Sequence, residues 1–250
     1  MTVLAKLKAA NAARWAAMHV HPQRIAEIDR TARKLLAPEA KRRFAWVSAR
    51  TGVPWPVIAV ISEREGGGSF DRYLGNGQPL DRRTTQVPAG RGPFTGADAW
   101  ERGALDALID CAPRAASWSD WSIGGALTLL EQYNGLGYAG MGKASPYIWA
   151  ATDQYVRGKY VADHDYRPDI VDDQIGCAAL LARMAALDPE ATIGVTPAKR
   201  PDATATTVPP QASVPTVKPA PKEPPKPAPA APGGLWDKIR RLFHSADYRV

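Results

Sequence analysis

The sequence is short of cysteine, of long apolar runs and of clustered metal ligands. Two cysteines in 250 residues, Cys111 and Cys177, are too few for a disulfide framework and read as two small buried hydrophobes. One bridge between them stays open at this level, because spacing along the chain does not give spatial separation. The segment from Met1 to Val20 has no continuous apolar stretch: Lys6, Lys8, Asn11 and Arg14 interrupt it, so it reads as neither a secretory signal nor a membrane span. His19 and His21 have no carboxylate or cysteine nearby in sequence, and His164 and His244 are isolated, so no metal or other cofactor is expected. Gly66-Gly67-Gly68 lacks the following Lys-Ser/Thr that turns a glycine-rich bend into a phosphate loop. No segment repeats.

What is abundant is proline and positive charge, both gathered towards one end. Twelve of the 23 prolines fall between Pro197 and Pro232, among Ala, Lys and Thr, a composition that favours an extended linker over a core. The formal charge is +7, and residues 198–250 carry nine Lys/Arg against four Asp/Glu, leaving the body nearly neutral. The organisation expected is one domain over 1–196 (N-terminal helices in 1–50), a Pro/Ala/Lys-rich linker over 197–233, and a basic tail over 234–250. In that tail Leu235, Ile239 and Leu242 form a stripe flanked by Trp236 and Phe243, with Lys238, Arg240 and Arg241 elsewhere: a basic amphipathic helix suited to an anionic membrane or lipopolysaccharide. A nucleic-acid partner is not expected, because the tail lacks regularly interleaved aromatics. The expected state is a monomer.

Apolar periodicity predicts a mainly α fold. Helices are expected from Val3, from Pro22 through Leu36, and from Pro38, the last carrying Phe44 and Val47, with a break at Thr51-Gly52-Val53-Pro54. Another runs from Pro56 to Glu65 and stops at the glycine run, because glycine carries high backbone entropy. Residues 70–95, with short β-like pieces such as Thr84-Thr85-Gln86-Val87, read as an irregular lobe with a small hairpin. Trp100–Ile109, Ile123–Tyr133, Ser145–Tyr160 and Val171–Leu187 read as further helices, with Trp118 and Trp121 as core.

Glu65 stands out. Ile61 and Ile58 lie four and seven residues before it, so the carboxyl continues an apolar stripe and faces inward. Desolvation there disfavours the charged form and raises the pKa, which is what a general acid in glycoside cleavage requires. Glu63, on the Ala59/Val60 side, is the fallback if the helix phase is slightly different.

Ile61-Ser62-Glu63-Arg64-Glu65-Gly66 resembles the active-site segment of goose-type lysozymes and soluble lytic transglycosylases, where an apolar helix ends in Arg-Glu-Ser or Gln-Glu-Ser. The resemblance implies that Glu65 is the catalytic acid, and Gly66 departs from the usual serine. About seventy residues on, Glu131-Gln132-Tyr133-Asn134-Gly135 resembles the Tyr-Asn-Ala-Gly segment of the transglycosylases, which implies sugar contacts for Tyr133 and Asn134. Residues 71–77, 87–94 and 145–149 are similar to segments of phage and prophage endolysin-like proteins, so the likeness spans roughly residues 40–190.

The family implies a lysozyme-like helical domain that cuts the β-1,4 bond between N-acetylmuramic acid and N-acetylglucosamine in peptidoglycan. It does so as muramidase or lytic transglycosylase, in phage-type lysis. Tyr147, Trp149, Tyr155 and Tyr160 would offer aromatic faces to sugar rings, with Tyr147 and Trp149 as the substrate-binding candidates. Asp71, Asp81 and Asp153 are candidates for a second carboxylate, although the transglycosylases need none because the substrate's N-acetyl group assists. Without a signal sequence, the expected route is accumulation in the cytoplasm and release through a holin pore to the wall. The alternative is a wall-binding or virion structural module of the same fold without catalysis.

Overall fold

In the computed structural model, residues 2–162 and 165–194 are described. The linker, the basic amphipathic tail, His164 and His244 therefore lie outside the described residues. The described part is mainly helical, with one two-stranded sheet.

Helix α1, Val3–Ala17, begins where the Thr2 hydroxyl accepts the Ala5 amide at 3.2 Å, an N-cap that satisfies one of the free donors of the first turn. It lies against α6, Ile123–Asn134. The approach is close because α6 presents glycine: a Cβ on Gly124 would meet the Lys8 carbonyl oxygen at 2.8 Å. Helix α2, Ile25–Leu35, follows a 3-10 turn at Pro22–Arg24, and α3, Pro38–Thr51, starts on a proline whose fixed φ suits a first turn.

Helix α4, Trp55–Gly66, is enclosed by α3, α9 (Cys177–Leu187), α2 and α6. Its residues from Pro56 to Ser62 are all buried, so it has no solvent stripe until its last turn, where Glu63 and Glu65 are half-buried. The helix stops as its sequence requires. Gly67 turns left-handed at φ 61°, its amide reaching the Glu63 carbonyl at 2.9 Å while the Gly68 amide reaches Ser62 at 3.0 Å, a Schellman-type ending.

Residues 67–98 form an irregular lobe. Its antiparallel pairing is a single bridge between Arg72 and Pro79, with the Tyr73 amide donating to the Gln78 carbonyl at 2.7 Å, while Thr84–Val87 is loop, tied by side-chain bonds such as Thr84 Oγ1 donating to the Pro88 carbonyl at 2.6 Å. The lobe is anchored by aromatic packing. Phe70 meets Trp100 edge-on at 4.9 Å and Phe44 at 5.5 Å, joining the lobe to α3 and to α5, Ala99–Ile109.

The predicted helix over Ser145–Tyr160 shrinks to one turn. After the short α7, Gly137–Gly140, comes α8, Pro146–Trp149; the chain then unwinds and enters strand β1, Lys159–Ala162, paired antiparallel with β2, Asp165–Arg167. Gly158 (φ 106°) breaks the helical pattern, and the Tyr138, Tyr160 and Tyr166 rings pack edge to face against one another at 5.2–6.3 Å. The last helix starts at Cys177 rather than Val171; the residues before it are non-helical, and Asp172 among them pairs with Arg64 and Lys159. Among the described residues, no single helix is long and apolar enough to cross a membrane. Cys111 and Cys177 are both buried free thiols, which closes the question of a bridge.

Candidate active site

Glu65 sits in the final turn of α4, with Ile58 and Ile61 buried behind it on the same face. Its Oε1 accepts the Tyr147 hydroxyl at 3.1 Å, a contact between the end of α4 and the single turn of α8. The Tyr147 side chain is only 2% exposed. Burial first, then the nearby charge of Glu65, pushes its phenol well above the usual range, so the hydroxyl keeps its proton and remains a donor. Tyr147 was expected to stack on sugar; the structure makes it a hydrogen-bonding partner of Glu65 instead.

The neighbouring side chain fixes that arrangement. Arg64 is buried, and its guanidinium lies 4.8 Å from the centroid of the Tyr147 ring. Its Nη2 donates to Asp172 Oδ2 at 3.2 Å and its Nη1 to the Ile175 carbonyl at 3.3 Å, while Lys159 Nζ bonds Asp172 Oδ1 at 3.2 Å. Burial opposes ionisation of Asp172, but the charges of Arg64 and Lys159 outweigh it and hold the carboxyl below its usual range. Sequence inspection missed this pair. The signal was present: Arg64 continues the buried Val57, Val60, Ile61 positions at seven, four and three residues, as a core residue would.

Glu63, the fallback acid, points elsewhere. Its Oε2 lies 3.4 Å from Lys34 Nζ, and Lys34 also donates to the Gly67 carbonyl, so it serves to tie α2 to the end of α4. The glycine following Glu65 has a packing reason. A Cβ on Gly66 would meet Arg72 Cβ at 2.7 Å, so the serine usual in the resembled families does not fit here without movement of the lobe. Gly77, at φ 71°, lies against the same place: a Cβ there would come within 1.9 Å of the Glu65 carbonyl oxygen.

The second motif ends α6. The Tyr133 hydroxyl donates to the Leu74 carbonyl at 3.2 Å, holding the lobe to the helix. Asn134 Nδ2 donates to Ser145 Oγ at 3.3 Å. Its Oδ1 is buried with no hydrogen-bond partner among the described residues. Tyr133 and Asn134 are 4% and 1% exposed, so both are positioned as supports of the wall around Glu65 more than as open sugar contacts.

Trp149 is fully buried and offers no free ring face, which removes it as a stacking platform. Tyr155 is also buried: its hydroxyl donates to the Gly158 carbonyl at 3.2 Å and accepts the Asp172 amide at 3.0 Å. Tyr160 is half-buried in the tyrosine cluster, where its amide donates to the Tyr138 hydroxyl at 3.0 Å.

Of the three candidate second carboxylates, Asp153 is committed to His19, accepting its amide at 2.8 Å and facing its Nδ1 at 3.1 Å. The His19 amide, the Gln154 side chain and the His19 ring lower that carboxyl to about 2. His19 thus has the carboxylate partner that its sequence neighbourhood did not reveal. Asp71 and Asp81 both line a groove of about 570 Å³ in the lobe, with Phe70, Arg72, Arg82 and Phe94; Glu65 is not among its lining residues. Asp81 is held below the usual range chiefly by its hydrogen bond from Arg82. Among the described residues, no group of three or more His, Cys, Asp or Glu gathers to hold a metal. No family model, no curated protein and no solved structure matches this chain.

Proposed function

We propose that this chain is a peptidoglycan glycosidase of the lysozyme-like class and that Glu65 is its general acid. The observation that carries the reading is the placement of Glu65. It is a half-buried carboxyl at the end of a buried helix, oriented by a tyrosine hydroxyl at 3.1 Å that burial keeps protonated. A glycosidic oxygen that leaves C1 of N-acetylmuramic acid must take up a proton, and a carboxyl fixed on a rigid element supplies it with little reorganisation.

The proposal needs no second protein carboxylate. Asp153 is engaged with His19, and Asp71 and Asp81 belong to a groove that Glu65 does not line. The N-acetyl group of the substrate then stabilises C1, and water or internal ring closure completes the reaction. The basic segment 234–250 would hold the enzyme near an anionic membrane or lipopolysaccharide, with release to the wall in phage-type lysis.

The test is turnover of purified sacculi by the full chain, by Glu65→Gln and by Glu63→Gln. Loss of at least about a hundredfold in Glu65→Gln, with Glu63→Gln near the parent, is the expected result. Full activity in Glu65→Gln removes the assignment. An inactive parent chain that still binds sacculi replaces it with a non-catalytic wall-binding module.

A further inference from the structure

The α1–α6 contact encloses a second feature, which the glycosidase reading does not use. A pocket of about 240 Å³ opens between α1 and the chain following α7. Val3, Leu7 and Ala10 contribute apolar lining, Lys6, Arg14 and Lys143 bring three cations, and Glu131 of α6 is its acid. Glu131 is 1% exposed, and its Oε1 has no hydrogen-bond partner among the described residues. An orphaned carboxyl oxygen in a pocket is costly unless something binds there.

We propose that this pocket is a binding site for a small organic anion with an apolar body, such as a short-chain carboxylate. Charge selects the sign of the ligand. Lys6 and Arg14 on α1 and Lys143 beyond α7 are the charged groups that line the pocket with Glu131, and they exceed it whether or not its carboxyl is ionised. An organic cation therefore meets a net positive wall in either state. An anion meets three cations and, while Glu131 is protonated, an acid O–H able to donate to its carboxylate in a short charge-assisted bond. The apolar walls take the body of the ligand, as is usual for small-molecule pockets.

The protonation state follows from burial, which pushes the Glu131 carboxyl up to about 8 against a small opposing effect of Arg14. At neutral pH the donor is in place. Above about pH 8 the bound and protein carboxylates repel, and affinity falls by up to about tenfold per pH unit.

Hexanoate and hexylammonium, titrated into the full chain by calorimetry with ¹⁵N-resolved NMR, test this without any glycan, so the result is independent of the glycosidase reading. Hexanoate should bind saturably at pH 7 with shifts at Leu7 and Gly142, while hexylammonium should not. Arg14→Glu combined with Lys143→Glu should weaken hexanoate at least tenfold. Glu131→Gln, which keeps a neutral donor, should retain binding at pH 7 and lose the decline above pH 8. Absence of saturable hexanoate binding, equal binding of hexylammonium, indifference to the charge reversals, or an unchanged alkaline decline in Glu131→Gln would each overturn the proposal.

Discussion

Tyr147 shows how burial changes what an aromatic side chain can do. In the sequence it was one of several aromatics suited to stacking on sugar; enclosed between Arg64 and the end of α4, it has only its hydroxyl to offer, and Glu65 receives it. Removing that hydroxyl should leave the ring packing in place and loosen the acid. Tyr147→Phe is expected to lower turnover of sacculi about tenfold, the value of one hydrogen bond to a charged or reacting group, with little change in melting temperature. Turnover equal to the parent would show that the contact does not position the acid. Glu131 makes a prediction of its own. Its carboxyl titrates from 4.5 when solvated and at about 8 in the fold, so the folded state holds a proton that the unfolded chain gives up. Stability from this group therefore falls as pH rises from about 4.5 to about 8 and is level above that. At pH 7 the penalty is about 3 kcal/mol, at roughly 1.4 kcal/mol per unit, and Glu131→Gln should remove most of it. Denaturant unfolding at pH 5, 7 and 8.5 measures this; parallel curves for parent and variant would refute it.

At the level of elements, the helices with clear starts and stops were legible. Pro38, Pro54-Trp55-Pro56 and the Gly66-Gly67-Gly68 run mark α3 and α4 to within a residue or two, because proline and glycine restrict the backbone whatever the tertiary context. The position of Glu65 in the last turn of α4 was legible for the same reason: it follows two buried isoleucines on a helix whose end is fixed. The stretch from Ala150 to Gln174 was not. Its tyrosines and valines suit either helix or strand, and the choice is made by distant partners: Tyr138 against Tyr160 and Tyr166, and Arg64 and Lys159 against Asp172. Two substitutions probe the junction of α4 with the lobe. Gly77→Ala, which forces a Cβ onto the Glu65 carbonyl at a positive φ, is expected to cost more than about 2 kcal/mol and to reduce activity with it. Gly66→Ser, which restores the residue usual in the resembled families, should destabilise by about 1–3 kcal/mol through Arg72. Thermal unfolding of both variants decides, and a Gly66→Ser chain as stable as the parent would mean that the lobe shifts freely.

At the scale of the described molecule, the helical body and the β1–β2 hairpin meet at the buried Arg64–Asp172 ion pair. Arg64 belongs to α4, Asp172 to the segment before α9, and Lys159 to β1. Leaving Arg64 buried without its partner should cost about 3–5 kcal/mol in Asp172→Ala. Because the folded carboxyl ionises more readily than its ordinary 3.8, the stabilisation is present above that value and is lost as pH falls below it. The parent chain should therefore lose stability in strong acid, and Asp172→Ala should lose less there than at neutrality. Cutting of the glycan is read from the products. Mass spectrometry of sacculi incubated with the full chain should show new muramic acid ends, reducing or anhydro, that Glu65→Gln fails to produce. Intact glycan strands after incubation with the parent, or the same new ends from Glu65→Gln, would contradict the account.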